Sequence, residues 1–191
     1  MEKIEIRKLI LKKLNSMSDE EYRSKSAKVR QSLMADPAFI NASSIGVTIS
    51  AYPEVDTLEL IETCWKLNKK VAVPKCTPES KRMEFYIIED FNQLETVYMK
   101  LKEPIISKTQ HVAAEEIDLM IVPGVVFSRR GYRIGFGGGY FDRYLSEYVG
   151  KTRSLAFQNQ LVETVPVEAH DIPVDGIHTE DFYIDTKQVK A

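Results

Sequence analysis

The chain has 191 residues, of which 43% are hydrophobic and 28% charged, and its formal net charge is −2. This length and hydrophobic content suit one domain with a substantial core, and we expect a single domain over residues 1–191. A charge this small is unlike that of proteins whose main partner is a nucleic acid or an anionic membrane. Neither is expected as a partner.

The number of cysteines and the length of the apolar runs indicate the cellular compartment. Cys64 and Cys76 are the only cysteines and no histidine adjoins them, so the sequence predicts neither a disulfide framework nor a zinc site. The N-terminus alternates charged and apolar residues, and no apolar run approaches membrane-spanning length. We expect a cytoplasmic protein that is a monomer or a weak homodimer. The three histidines share no helical spacing and are predicted to lie in loops: His111, His170 and His178.

The first elements in the chain are two predicted helices. Residues 2–15 carry apolar side chains at helical spacing, and Lys3 and Arg7 lie one turn apart on another face. On composition alone, this basic pair indicates a solvated face. A capping box at Ser18–Glu21 predicts the start of a second helix, which should end near Asp36.

Short apolar runs then alternate with helical patterns. The run at 117–122 is the most apolar and predicts a central strand, whereas Pro74 is expected to end the strand that contains it. This alternation predicts an α/β fold, with a mainly parallel central sheet flanked by helices in one layered domain. The predicted strands are 45–50, 70–74, 83–88, 117–122, 153–157 and 181–186, and a further helix is predicted around Leu58–Trp65.

The loop at Tyr52–Thr57 follows the first predicted strand. In a doubly wound sheet such a loop lies at the carboxyl end of its strand, where ligands are usually held. Glu54 would then face a pocket, although the residue type alone favours a plain loop carboxylate.

The most unusual stretch runs from Ile121 to Leu145 and reads IVPGVVFSRRGYRIGFGGGYFDRYL. Four of the chain's nine glycines lie between Gly135 and Gly139, where the backbone can approach a ligand closely. Apolar spacing over 140–149 predicts a helix whose free amides, together with nearby arginines, form a phosphate cradle. The alternative is a tight strand-to-helix turn with its arginines in solvent. The arginines are Arg129, Arg130 and Arg133.

Neither of the common phosphate loops fits this stretch. A Walker A loop needs Lys followed by Ser or Thr after its last glycine, and the dinucleotide fingerprint needs a further glycine where Tyr140 stands. The run from Pro123 to Arg143 instead resembles the signature of the 5-formyltetrahydrofolate cyclo-ligase family, also called methenyltetrahydrofolate synthetases. Further matching pieces extend the resemblance from Lys3 to Asp181.

The resemblance has two departures. Residues 100–104 read KLKEP where the family usually has Gly-Ile-x-x-Pro, in a segment that lines the pterin pocket. Phe141 stands where the family often has tyrosine, so no hydroxyl is available there for acid catalysis.

The resemblance also implies which residues form the site. It implies ATP as co-substrate and Mg²⁺ as cofactor, with Asp142 and Asp171 as metal ligands, because Mg²⁺ prefers carboxylate oxygen. Catalytic roles are expected for Arg133 and Tyr140. The implied ATP contacts are Lys3, Arg7, Arg133, Ile134, Gly135, Phe136, Gly137, Gly138, Gly139, Tyr140 and Phe141. The implied contacts with the reduced folate are Ile49, Glu54, Met83, Phe136, Gly137, Gly138, Gly139 and Tyr140.

The implied reaction is the ATP-dependent conversion of 5-formyltetrahydrofolate to 5,10-methenyltetrahydrofolate, with release of ADP and phosphate. Phosphorylation of the formyl oxygen followed by ring closure by N10 requires mainly cations and positioning from the protein. A non-catalytic sensor of a nucleotide or sugar phosphate is the second interpretation. An RNA-binding module led by Arg129 and Arg130 is the third, but aromatic stacking positions do not interleave with a basic stripe.

Overall fold

The computed structural model describes residues 1–189; residues 190 and 191, which belong to the predicted domain 1–191, lie outside the described part. The helices in this part are α1 (Lys3–Asn15), α2 (Asp19–Met34), α3 (Pro37–Ile40), α4 (Leu58–Lys66) and α5 (Tyr140–Leu145). The strands are β1 (Ser44–Gly46), β2 (Lys70–Thr77), β3 (Arg82–Ile88), β4 (Leu94–Thr96), β5 (Lys102–Pro104), β6 (Gln110–Val112), β7 (Leu119–Ile121), β8 (Val126–Ser128), β9 (Arg133–Ile134), β10 (Lys151–Leu155), β11 (Leu161–Val162), β12 (Gly176–His178) and β13 (Tyr183–Asp185).

Eight strands form the central sheet in the order β13-β12-β10-β7-β1-β2-β3-β6. The five strands from β12 to β2 are parallel to their neighbours, and β13, β3 and β6 join in antiparallel pairing. The predicted α/β fold with a mainly parallel sheet is therefore confirmed, and the apolar run at 117–122 supplies the interior strand β7.

Two apolar clusters cover the two faces of the sheet. Val71 and Val73 contribute to one cluster and Ala72 to the other, as the two-residue repeat of a strand requires. Helices α1, α2 and α4 bury their apolar stripes in the first cluster, and α5 packs Leu145 into the second. Helices thus lie on both faces.

The second helix begins where its cap predicts. The hydroxyl oxygen of Ser18 accepts a hydrogen bond from the amide of Glu21 at 3.1 Å, which satisfies one of the free donors at the start of α2. Asp36 caps the next helix by accepting from the amide of Ala38 at 2.9 Å. Local capping therefore defines both of these helix starts.

The prediction that Pro74 ends its strand is wrong, because β2 continues to Thr77. The carbonyl of Ala72 faces β1, where it accepts from the amide of Val47 at 3.0 Å. Pro74 faces the same side two residues later, but β1 pairs with β2 only as far as Ala72. The missing amide of proline breaks no ladder bond there.

Other boundaries also differ from the predictions. The helix after the glycines ends at Leu145 rather than extending to residue 149. The region predicted as a loop before the last strand contains β12, which includes His178, and His111 lies in β6, so the loop prediction is wrong for both histidines. His170 does lie in a turn.

Strand order places a crevice between β1 and β7. From β1 the chain crosses to β2 on one side, whereas from β7 it crosses to β10 on the other side. This reversal is a topological switch point, and the loops after the two strands separate at their carboxyl ends. Ligands of open α/β sheets usually bind in this position.

Candidate active site

A narrow cleft with a volume of about 30 Å³ lies at the switch point and opens to solvent. One wall comes from the loop after β1 and includes Ser50, Glu54 and Thr57; the other comes from residues 121–124 after β7, with Gln160 closing one side. This volume admits water but is well below that of typical small-molecule sites, so the two walls must separate for a larger ligand to enter. Glu54 lines this cleft in the loop that follows β1.

Side-chain hydrogen bonds hold the Glu54 loop closed. The amide of Thr57 donates to the Ser50 hydroxyl, and the amide of Ser50 donates to the Thr57 hydroxyl, both at 2.9 Å. Tyr22 reaches from α2 to donate to the main-chain carbonyl of Glu54 at 2.6 Å. The carboxylate of Glu54 therefore stands on a closed loop tied to a helix.

Glu54 has one carboxylate oxygen engaged within the described residues. Its Oε2 accepts from the amide of Ala51 at 2.8 Å. Burial raises the pKa of Glu54, and the bond from Ala51 opposes this only in part. The remaining oxygen is available to accept N–H groups of a ligand in the cleft.

The glycine loop follows β9 and leads into α5. Gly137 and Gly139 have φ values of 101° and 70°, in the left-handed region that glycine adopts without strain. Within residues 1–189, none of the five main-chain amides from Gly135 to Gly139 donates a hydrogen bond to protein. Five free amides in a row form a surface suited to an anion. Because α5 has only six residues, these amides contribute more than the helix dipole does.

One cation of α1 contacts this loop, and a second contacts the segment that carries Asp171. Arg7 donates through Nε to the carbonyl of Gly135 at 2.7 Å, which leaves its terminal nitrogens beside the loop. Lys3, one turn earlier, places Nζ 3.2 Å from Asp171 Oδ2. The structure thus places Arg7 at the glycines, whereas Lys3 lies against Asp171.

Arg133 and Asp142 form an ion pair beneath the loop. The Arg133 side chain is 5% exposed, and Nη2 donates to Asp142 Oδ1 at 3.1 Å while Nη1 donates to the carbonyl of Ile172 at 2.8 Å. Burial lowers the pKa of Arg133, and the carboxylate of Asp142 opposes that change. The pair joins the glycine loop to the segment that carries Asp171.

The cleft and the glycine loop adjoin each other at Gly124. A Cβ on Gly124 would lie 3.3 Å from Cδ of Arg133, so this cleft residue lies directly against the arginine. The side chain of Gln160 donates to the carbonyls of Val125 at 3.0 Å and Gly124 at 3.3 Å. Gln160, which the sequence analysis missed, thereby fixes the turn between the two halves of the site.

Carboxylates that suit a divalent cation are present in this region. Asp142 Oδ1 accepts from the amide of Ile172 at 3.1 Å, the residue after Asp171, so the two predicted metal ligands lie on adjoining segments. Ligand atoms of Glu168, His170 and Asp171 lie within 4.8 Å of one another. Burial alone would raise the pKa of Asp171, but hydrogen bonds from the Glu168 amide and from Lys3 lower it overall. No sequence pattern predicts a ligand role for Glu168 or His170.

Arg129 and Arg130 do not supply charge to the glycine loop, so that prediction is wrong. They lie in the hairpin turn between β8 and β9, at the end opposite Gly135. The guanidinium of Arg129 lies over the ring of Phe182, and that of Arg130 lies over Tyr132. Arg143, which the sequence analysis missed, instead reaches the loop and donates to the carbonyl of Gly138 at 3.2 Å.

Several other predicted contacts are core residues. Ile134 is 2% exposed and Met83 7%, and Phe141 packs edge-to-face on Phe85. Ile49 packs against the first cluster, and neither it nor Met83 lines the cleft in the described part of the chain. Tyr140 is half-buried against Gly138. Phe136, by contrast, is 63% exposed at the tip of the glycine loop.

Comparison with known proteins explains why these residues occur together. Residues 1–180 match the model of the 5-formyltetrahydrofolate cyclo-ligase family. The chain belongs to this family. The 5-formyltetrahydrofolate cyclo-ligase of Escherichia coli K12 is 29% identical over 175 residues, with 90% of this chain and 96% of that protein covered. The mouse protein of the same name is 28% identical over 187 residues, with 92% of each chain covered.

Solved structures show that this cyclo-ligase family member has the family fold. The Aquifex aeolicus 5,10-methenyltetrahydrofolate synthetase superposes with a TM-score of 0.87 at 32% identity, covering 100% of this chain and 96% of that one. A synthetase from Mycoplasma pneumoniae superposes with a TM-score of 0.77 at 23% identity, covering 94% and 99%, which shows the shared fold.

Family membership confirms the predicted enzyme class, a cyclo-ligase. In the part of the cyclo-ligase chain that the structure describes, none of the helices combines the length and apolarity that crossing a bilayer requires.

Proposed function

We propose that this protein converts 5-formyltetrahydrofolate and ATP to 5,10-methenyltetrahydrofolate, ADP and phosphate. The observation that carries the proposal is the contact of Arg7 with a loop that has five free amides, near a cleft that contains Glu54. Lys3, one turn before Arg7, lies against Asp171. An anion site and a cleft with one available carboxylate oxygen suit two different substrates.

The triphosphate is assigned to the glycine loop. Amides from Gly135 to Gly139 donate hydrogen bonds to its oxygens, while Arg7 and Lys3 supply positive charge from α1. Each charge-assisted hydrogen bond contributes on the order of 1.5 to 3 kcal/mol. Phe136 is exposed at the tip, where an aromatic ring can pack against a ligand.

The reduced folate is assigned to the cleft. The pterin ring presents N–H donors along one edge, and the available oxygen of Glu54 is the acceptor that suits them. Ser50 and Thr57 hold the Glu54 loop closed, so the carboxylate is oriented before the ligand arrives. Gly124 lies where the cleft meets Arg133, so a formyl group at that end points toward the triphosphate.

The chemistry follows from this placement. The formyl oxygen attacks the γ-phosphorus, and the bond between that phosphorus and the bridging oxygen breaks to release ADP. N10 then attacks the formyl carbon to close the five-membered ring; the carbon–oxygen bond breaks, inorganic phosphate departs and N10 loses its proton. Phosphoryl transfer of this kind depends mostly on positioning and on cations around the migrating group.

Asp142 and Asp171 are proposed to hold Mg²⁺ with the triphosphate. Their carboxylate oxygens are the donors that Mg²⁺ prefers, and the Ile172 bond to Asp142 holds their two segments together. When bound, the ion neutralises charge on the triphosphate. Lys3 already contacts Asp171, so this cation also lies on the proposed path of the triphosphate.

The test is stoichiometric. Protein mixed with Mg-ATP and 5-formyltetrahydrofolate should form methenyltetrahydrofolate and ADP in equal amounts, measured by absorbance and by chromatography. ADP release that does not depend on the folate would refute the coupling. Binding of ATP without turnover in the presence of the folate would favour the sensor interpretation instead.

A further inference from the structure

Arg133 is a deeply buried cation of the candidate site. Its side chain is 5% exposed, whereas that of Lys3 is 29% exposed. Both terminal nitrogens donate within the protein, to the carbonyl of Ile172 at 2.8 Å and to Asp142 at 3.1 Å. The lack of a side chain at Gly124 leaves room for the Arg133 methylenes.

These contacts close a ring through three residues. Asp142 Oδ1 accepts from Arg133 and also from the amide of Ile172, whose carbonyl is bound by the same arginine. Both main-chain polar groups of Ile172 are therefore engaged by one ion pair. The strap, defined as residues 168–172, is fixed at its end by this ring and near Asp171 by Lys3.

The ring also balances charge. The carboxylate of Asp142 lies against the guanidinium of Arg133, so the pair presents little net charge to a phosphate above it. The free charge next to the glycine loop comes instead from Arg7 and Arg143, neither of which makes an ion pair within residues 1–189.

We propose that Arg133 is a positioning residue that fixes Asp142 and the strap, rather than a ligand of the triphosphate. The assignment of Mg²⁺ to Asp142 and Asp171 rests on the function proposed above. The contacts of Arg133 do not depend on that function. Removing the guanidinium group of Arg133 should free the Asp142 side chain and loosen Ile172. The carboxylates proposed to bind the metal would then be disturbed, while the cations of α1 would stay in place.

The test uses the full-length Arg133→Lys variant, because lysine keeps the charge but lacks the two-pronged donor. We expect calorimetry in the presence of EDTA to give an ATP affinity within about twofold of wild type, well under the tenfold that removal of a charged contact produces. The Mg²⁺ concentration for half-maximal activity should rise by about tenfold or more, as when a partner of a metal ligand is lost. Hydrogen exchange at the Ile172 amide, measured without ligand, should be faster than in wild type.

Three variants sharpen the comparison. Asp142→Asn keeps an acceptor for Ile172, so it should raise the Mg²⁺ requirement while retaining most of the amide protection. Arg7→Lys should lower metal-free ATP affinity without altering exchange at Ile172. Arg129→Lys, in the distant hairpin turn, should resemble wild type in every assay.

The opposite pattern would overturn the proposal. One such result is a loss of tenfold or more in metal-free ATP affinity in Arg133→Lys, equivalent to roughly 1.4 kcal/mol of binding free energy. If hydrogen exchange at Ile172 were unaltered in the same variant, Arg133 would be a phosphate ligand. Added guanidinium should restore Ile172 protection in Arg133→Ala, and failure to do so would also count against the proposal. If wild type bound no ATP, the proposed function would fail, and the exchange data alone would still test the ring.

Discussion

Arg7 donates through Nε to the carbonyl of Gly135 at 2.7 Å, and this bond joins the first helix to the glycine loop across 128 positions of sequence. The arginine both holds the loop and presents its terminal nitrogens on the same surface as the free amides. A single residue of α1 therefore connects the fold to the proposed triphosphate site.

Replacing Arg7 with alanine should lower ATP affinity by about 10- to 100-fold, because a charge-assisted contact is lost and the loop loses an anchor. Folate affinity should change much less, since Glu54 and its loop do not depend on Arg7. Calorimetric titration with each ligand separately measures both. Lys8→Ala removes an exposed charge of the same helix and serves as the control. Equal losses of ATP affinity in the two variants would indicate only a general electrostatic effect.

Glu54→Gln should lower the affinity for the reduced folate by about tenfold or more while leaving ATP affinity unchanged, because amide replaces the charged acceptor. Glu62→Gln, on the exposed face of α4, is the matched control. Retention of folate affinity in Glu54→Gln would remove this residue from the substrate site.

The same carboxylate predicts a pH dependence. Burial raises the pKa of Glu54 above its ordinary value of 4.5. If the ionised form binds the folate, affinity should increase as the pH rises through this raised pKa, with a midpoint above 4.5. For stability the sign is opposite: the contribution of Glu54 is complete below pH 4.5 and is lost as the pH rises through the folded-state pKa. Glu54→Gln should remove the pH dependence of folate affinity.

Some of this site could be predicted from the sequence, and the reasons are local. The glycine loop stands out because its composition is unusual within a few residues, and the loop of Glu54 follows from strand order. Lys3 and Arg7 carry no such signal, because two basic residues one helical turn apart are equally typical of a solvent-exposed helix face. Only the resemblance identified them, and the structure places Arg7 at the loop and Lys3 against Asp171.

The missed residues act through contacts that residue type does not encode. Ile172 contributes only main-chain groups, so its side chain gives no indication of its role. Gln160 lies in a polar run, and its partners are carbonyls 35 and 36 positions away. Arg129 and Arg130 were misplaced because the β8–β9 hairpin turns them away from the glycines, and that pairing depends on tertiary contacts.

A buried polar network outside the site predicts how stability depends on pH. His178 Nε2 lies 2.8 Å from Asp36 Oδ2, Ser32 lies 2.6 Å from Nδ1, and Arg153 also binds Asp36, at 2.7 Å. Since the carboxylate only accepts, Nε2 carries the hydrogen and Ser32 donates to Nδ1 of a neutral imidazole. Tyr183 stacks on the ring with centroids 4.4 Å apart.

Acid should therefore weaken the fold in two stages. Burial lowers the pKa of His178 below its ordinary 6.5 despite Asp36, so stability should fall as the pH drops from 6.5 through the folded-state pKa. Burial alone would raise the pKa of Asp36, but bonds from Arg153 and His178 lower it below 3.8, so its contribution is lost below that pH. Urea unfolding between pH 8 and pH 3 measures both stages.

His178→Gln should lose roughly 2 to 4 kcal/mol of unfolding free energy at neutral pH, because buried partners are left unpaired. It should also lose the first acid stage. His111→Gln, whose side chain is 51% exposed in wild type, should retain both the stability and that stage. An unchanged slope between pH 7 and pH 5.5 in His178→Gln would show that another group titrates there.

Gly135→Ala separates a phosphate cradle from a plain turn. A Cβ at this position would meet no atom within 4 Å, and φ lies outside the left-handed region, so the fold itself does not require glycine here. The unfolding free energy should change by less than about 0.5 kcal/mol. ATP affinity should nevertheless fall by about tenfold or more, because the methyl group occupies the surface that the triphosphate approaches.

Gly137→Ala, at a φ of 101°, should lose roughly 1 to 2 kcal/mol of stability as well, and it shows what backbone strain alone does. If Gly135→Ala binds ATP as tightly as wild type in calorimetric titrations, the loop is a turn and the triphosphate binds elsewhere.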